Sequence, residues 1–161
     1  MDVLELCAEI AKPFEGLHKL VKNKVYAYHD PVGYPTIGYG HLLNKNAWSD
    51  LSVYKSISIS DAENLLLNDL KYSATNAALQ SPVLLKKENL YRWAAITDFI
   101  FNCGSGNYSI STLKKKVNSE NWKEAAEQIL KWDKAGGKKL PGLTRRRQAE
   151  SFYLQNKQND S

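Results

Sequence analysis

The chain has 161 residues, 43% of them apolar and 24% charged, which suits one globular domain and excludes a collagen-like repeat, a disulfide-stapled miniprotein and disorder throughout. Lys and Arg exceed Asp and Glu to give a net charge of +5, a bias toward polyanionic partners such as nucleic acid, anionic lipid or an acidic bacterial wall that does not choose among them. No apolar run approaches the ~20 residues needed to cross a bilayer, and the opening Met-Asp-Val-Leu-Glu-Leu-Cys-Ala-Glu carries acids where a secretion signal needs bases, so neither membrane insertion nor conventional export is expected.

Asp2 followed by Glu5 forms a capping-box pattern, and Val3, Cys7, Ile10 and Phe14 recur at helical spacing. Pro13 disfavours helical geometry at Lys12, so this first helix is expected to stop or kink there, leaving Glu15 and Gly16 just beyond its end. Aromatic and β-branched residues over 25–29, the turn formers Asp30, Pro31 and Gly33, and then Thr36, Ile37 and Tyr39 predict one small antiparallel sheet. Gly38 and Gly40 would let a backbone or a ligand approach it closely.

Ser58 and Asp61 cap a second helix reaching about residue 78, long enough to join two lobes. Helical patterns follow over 89–101, 109–117, 119–132 with Ser119 as its cap, and 143–155. Gly104, Gly106, Gly136, Gly137 and Gly142 mark breaks, and 155–161 has the composition of a frayed polar tail.

Cys7 and Cys103 fall in no zinc-ligand or CxxC spacing and suit buried, reduced thiols. His18, His29 and His41 belong to no HExxH-like motif, so no metal site is expected. Arg145 to Arg147 form a basic run whose side chains fan over more than half a helical turn, which suits a solvated face.

The densest stretch is Phe14-Glu-Gly-Leu, then Val25-Tyr-Ala-Tyr-His-Asp-Pro-Val-Gly-Tyr-Pro-Thr-Ile-Gly-Tyr-Gly-His-Leu-Leu43. Its Glu-Gly at a helix end, its Tyr-x-Asp turn and above all its Thr-Ile-Gly-x-Gly-His resemble the phage-type lysozymes, glycoside hydrolase family twenty-four. The resemblance continues through Ile57-Ser-x-x-Asp-Ala, Asn68-Asp-Leu, Ala94-Ala-Ile, Phe101-Asn-x-Gly, Asn121-Trp-x-Glu-Ala-Ala and the segment from Trp132 to Arg147, so it covers nearly the whole chain. The departure is in length: residues inserted around His18 to Asn23 separate Glu15 from Asp30 more widely than in compact members.

The resemblance implies an α+β, mostly helical, lysozyme-like fold of two lobes: a small antiparallel sheet lobe over 14–57, a helical lobe from 1–13 and 80–157, and a connecting helix over 58–79. It implies a muramidase that hydrolyses the β-1,4 bond between N-acetylmuramic acid and N-acetylglucosamine in peptidoglycan, with inversion and without metal or cofactor. Such chemistry needs one protonated carboxyl for the leaving oxygen and one ionised carboxylate. Glu15, at the edge of an apolar helix face, is expected to have a raised pKa and act as the acid, while Asp30, in a turn beside water, stays ionised.

By resemblance, Thr36 joins Asp30 in holding the attacking water, Leu42, Phe101, Thr112 and Gln128 contact substrate, His41 pairs with Asp69 as scaffold, and Arg145 supports the glutamate. The implied setting is a monomeric endolysin that waits in the host cytoplasm and reaches the periplasmic wall when a holin opens the membrane, without nucleic-acid partners. Three other readings are a virion-carried wall enzyme, a cysteine amidase using Cys103, and a non-catalytic module that binds peptidoglycan or nucleic acid.

Overall fold

The computed structural model describes residues 1–156. In chain order it contains α1 (Val3–Glu15), β1 (Leu20–Val21), β2 (Lys24–Val25), β3 (Tyr28–His29), β4 (Pro35–Ile37), β5 (His41–Leu42), β6 (Ile57–Ser58) and α2 (Ile59–Gln80). Two single-turn 3-10 segments, Pro82–Leu85 and Lys87–Asn89, lead into α3 (Leu90–Cys103), α4 (Ser105–Ser109), α5 (Thr112–Asn118), α6 (Trp122–Ile129), β7 (Lys134–Ala135), β8 (Lys138–Lys139) and α7 (Pro141–Leu154). The chain is therefore mostly helical with small antiparallel sheets, the fold class expected. It divides into two compact units, Glu15–Asp69 and Met1–Phe14 with the chain from Leu70 onward.

In the unit Glu15–Asp69 the expected single sheet is two. Strands β1, β2 and β6 form one in that order, and β3, β4 and β5 form the other, all pairs antiparallel. The run 25–29 is divided between them, with Val25 ending β2 and Tyr28–His29 forming β3. The inserted residues form the β1–β2 hairpin, with Leu20 opposite Val25 and Val21 opposite Lys24. Its two-residue turn has Lys22 at φ 50 and Asn23 at φ 66, the left-handed pair that matches the twist of adjoining strands.

Val25, Ile37 and Ala62 make the buried centre of this unit, with Leu17, Ile57, Ile59 and Leu65 packed on it. Gly38 is the point of closest approach: at φ 67, a Cβ there would meet the Ala62 Cβ at 3.1 Å, so the sheet can lie against α2 only where a side chain is missing. The start of α2 is a reciprocal cap, with Asp61 N donating to Ser58 Oγ at 3.0 Å and Ser58 N to Asp61 Oδ2 at 3.4 Å.

In the other unit α1 begins as expected, with Glu5 N donating to Asp2 Oδ1 at 2.9 Å. Pro13 does not end it, however: the helix runs through Pro13 to Glu15. A proline in the last turn removes one hydrogen bond near an end that frays anyway, and burial of Val3, Leu6, Cys7 and Ile10 along the helix outweighs that loss. Gly16, at φ 72, ends it instead.

The stretch 109–117 is also two elements. Ser109 closes α4, and Ser111 opens α5 by accepting from Lys114 N at 3.0 Å. Ser119 lies at the end of α5, while Asn121 caps α6 by accepting from Glu124 N. Positive φ at Glu120 separates them, which no hydrophobic period reveals. Gly136 and Gly137, both left-handed, turn the β7–β8 hairpin in a segment read as a plain break. Pro141 opens α7 two residues earlier than expected, at the position where its missing N–H is harmless. The polar tail beyond Asn156 lies outside the described residues.

The expected solvated arginine face is another correction. Arg146 and Arg147 are 4% and 0% exposed. Arg146 donates from Nε and Nη2 to the two Asp98 carboxylate oxygens at 2.9 and 2.7 Å, and Arg147 pairs with Glu150 at 2.6 Å while its guanidinium lies 5.2 Å from the Phe99 ring centre. Such pairs are buried because α3 presents Asp98 to α7, a match between residues far apart in sequence. Cys7 and Cys103 are free thiols, and burial pushes both up in pKa.

Candidate functional site

Glu15, Asp30, Thr36 and Leu42 line one cavity of about 760 Å³ in the unit Glu15–Asp69, together with His18, Tyr28, His29, Pro31, Tyr34 and Gly40. Strand register explains why. Tyr28 stands opposite Thr36, and Thr36 opposite Leu42, and directly opposed residues of antiparallel strands project to the same side. Asp30 lies two residues beyond Tyr28, on the same parity. Glu15 arrives from the last position of α1, released by the left-handed turn at Gly16.

Each group is held. The Glu15 backbone carbonyl, one of the acceptors a helix end leaves open, takes a hydrogen bond from His18 Nε2 at 3.1 Å. A Cβ at Gly40 would lie 3.3 Å from Glu15 Oε2, so glycine at that turn leaves room for the carboxyl. Asp30 Oδ1 accepts from Val32 N at 3.0 Å and Tyr34 N at 2.8 Å, the local pattern in which Asp organises its own turn. Thr36 is 4% exposed, and its hydroxyl donates to the Tyr34 carbonyl at 2.8 Å. Burial, then the charges of Glu15 and Asp30, push the Tyr28 phenol up, so it stays protonated beside both acids.

His41 Nδ1 donates to Asp69 at 2.9 Å, bringing that predicted pair together. Leu42 is 40% exposed in the cavity wall and is not packed in the core. Phe101, Thr112, Gln128 and Arg145 belong to the other unit: Phe101 is half-buried on α3, Thr112 is exposed at the start of α5, Gln128 is half-buried on α6, and Arg145 is exposed on α7. Among the described residues no three His, Cys, Asp or Glu side chains come together to hold a metal ion.

The cavity residues not singled out from sequence are His18, Tyr28, His29 and Tyr34. The signal available for Tyr28 was the period of two running from Tyr28 to Asp30, which aims both residues at one face; His29 has the opposite parity and Tyr34 follows the turn, so that period does not reach them. His18 had none, because the insertion that carries it follows no period.

The phage lysozyme family model matches residues 12–150. The chain is 34% identical over 151 residues to the endolysin of Bacillus phage B103, covering 93% of this chain and 52% of that protein. It thus spans about half the length of that relative. It is 33% identical over 159 residues to an endolysin of Acyrthosiphon pisum secondary endosymbiont phage 1, covering 96% and 99%. Among solved structures it is similar to the endolysin from Escherichia coli O157:H7 phage FAHEc1, with a TM-score of 0.72, 26% identity, and 96% and 93% of the two chains covered.

Proposed function

This chain belongs to the phage lysozyme family, and from that premise we propose that Glu15, Asp30 and Thr36 are the groups with which it cleaves the β-1,4 bond between N-acetylmuramic acid and N-acetylglucosamine. The protein is a peptidoglycan-degrading muramidase that acts on the cell wall. The observation that carries the assignment is the shared lining of one cavity by these three side chains.

Glu15 protonates the leaving glycosidic oxygen as the bond to the anomeric carbon breaks. Thr36 has committed its hydroxyl proton to the Tyr34 carbonyl and Asp30 has committed Oδ1 to two backbone amides, so the Thr36 oxygen and Asp30 Oδ2 are left to accept hydrogen bonds from one water. That water then turns a lone pair toward the sugar, and Asp30 takes its proton as the new C–O bond forms. One displacement of this kind inverts the anomeric carbon. The reducing end of fresh product is therefore expected to be the α-anomer, followed by proton NMR before mutarotation; a β-anomer appearing first would refute the single displacement.

In the same reading Leu42, Phe101, Thr112 and Gln128 contact the glycan, the His41–Asp69 pair stiffens the loop after β4, and Arg145 supports the glutamate. The enzyme acts as a monomer, held in the host cytoplasm until a holin opens the inner membrane. Expression without a partner is expected to give lytic extracts but intact growing cells; protein recovered outside the inner membrane of unaided cells would overturn it.

A further inference from the structure

Among the described residues Trp48 is the only aromatic residue with positive φ, at 60°. A bulky side chain in that conformation is strained, and strain of this kind persists where the surroundings impose it and a function uses it. Burial does not explain it, since Trp48 is 67% exposed. Its position is nevertheless fixed from below. Trp48 N donates to the Gly33 carbonyl at 2.7 Å, and its ring lies so close to Gly33 that a Cβ there would come within 2.4 Å of it. The His29 ring meets it at 5.2 Å, tilted by 54°, and His29 Nε2 donates to the Ser49 carbonyl at 2.7 Å, which ties down the next residue as well.

One face of the indole is thus seated on a glycine chosen for thinness, and the rest is open. His29 is also a wall of the cavity that holds Glu15, Asp30 and Thr36, so the indole stands one ring contact away from that wall. A flat, rigid aromatic surface suits the apolar C–H face of a pyranose ring. Asp50 lies two residues along the chain, a negative charge that disfavours the phosphates of a nucleic acid whose bases would stack on the same ring.

We propose that Trp48 is a stacking platform for a further N-acetylhexosamine unit of the glycan strand, beyond the sugars at the bond being cleaved. The proposal rests on the muramidase reading of the adjoining cavity. Its consequence is a preference for long strands, because only a strand that extends past His29 reaches the indole.

The test compares wild type, Trp48→Gly and Trp48→Phe on long uncrosslinked glycan strands and on a tetrasaccharide. Glycine adopts the required φ without strain, so the first variant keeps the loop and removes only the ring. Its ratio of kcat/KM for strands over tetrasaccharide is expected to fall about tenfold, the equivalent of ~1.4 kcal/mol of lost contact. The loss should lie in KM, the thermal midpoint should not fall, and Trp48→Phe should recover part of the preference. An unchanged ratio, or equal losses on both substrates with a lowered midpoint, would overturn the platform. Should wild type cleave neither substrate, the muramidase reading fails by itself; calorimetric titration with the same strands then decides the platform, and equal affinity of wild type and Trp48→Gly would overturn it.

Discussion

Glu15→Gln is expected to lower the muramidase rate by about 10²- to 10⁴-fold, the usual contribution of a positioned general acid. Glutamine has nearly the same shape and keeps the helix end intact, but its amide has no proton to give to the leaving oxygen. Asp30→Asn should cost activity through the other half of the reaction. Its side-chain oxygen can still accept from the Val32 and Tyr34 amides, so the turn survives while the base that takes the proton of water is lost. Turbidity loss of permeabilised cells measures both, with thermal melts to show that each variant is folded. Wild-type rates from Glu15→Gln would sink the assignment, and a dead Glu15→Gln beside an active Asp30→Asn would move the second carboxylate elsewhere.

The largest expected effect on stability lies in the other unit. Arg146→Met removes the fork that faces Asp98, whose side chain is fully buried, and leaves a carboxylate without its partner. A loss of about 3–5 kcal/mol is expected from breaking such a pair, which for a chain of this size lowers Tm by roughly 10 °C. A Tm within a degree or two of wild type would show that Asp98 is neutral in the native protein.

The same cluster makes stability depend on pH in two opposed ways. Burial raises the Asp98 carboxyl, but hydrogen bonds from Glu150 and Arg146 outweigh it and hold the group below its ordinary 3.8. Burial, and then the hydrogen bond and charge of Asp98, push Glu150 well above its ordinary 4.5. A depressed Asp98 contributes stability that is present above its unfolded pKa and lost as pH falls through its folded one. A raised Glu150 contributes stability that is full below its unfolded pKa and declines as pH rises toward its folded one. Tm should therefore climb out of the acid range and then sag on the alkaline side. Glu150→Gln can still donate to Asp98 but cannot ionise, so its curve should stay flatter between about pH 5 and 8. Identical slopes for the two proteins would mean that Glu150 is ionised when folded.

What could be read from sequence was what is encoded locally. The Asp2–Glu5 and Ser58–Asp61 caps involve partners three residues apart, and the Thr-Ile-Gly-x-Gly-His stretch places β4, its turn and β5 in consecutive residues. Where partners are distant, sequence misled. Arg146 and Arg147 have the composition of a solvated run until Asp98, on another helix, supplies a reason for burial. Pro13 suggests a stop only while the buried face of α1 is left out. At the candidate site the three polar groups lie within 22 consecutive residues, Glu15 at a helix end and Asp30 and Thr36 in one turn and its strand, so they were accessible; His18 entered through a hairpin whose exposed Leu20 and Val21 leave no hydrophobic signature.

That hairpin closes on itself before it returns to the chain: Lys19 O accepts from Tyr26 N at 3.1 Å, and Leu20 faces Val25. The backbone leaves and rejoins the unit at neighbouring points, so the path length between Glu15 and Asp30 is decoupled from their spacing in space. Loop closure grows only slowly more costly with length, ~0.6 kcal/mol per doubling, so the exposed Lys22–Asn23 turn is a natural grafting port. A wall-targeting peptide spliced there would travel as cargo on an antiparallel stalk, and members of one lineage could lengthen or trim the stalk to suit different hosts without retuning the two acids.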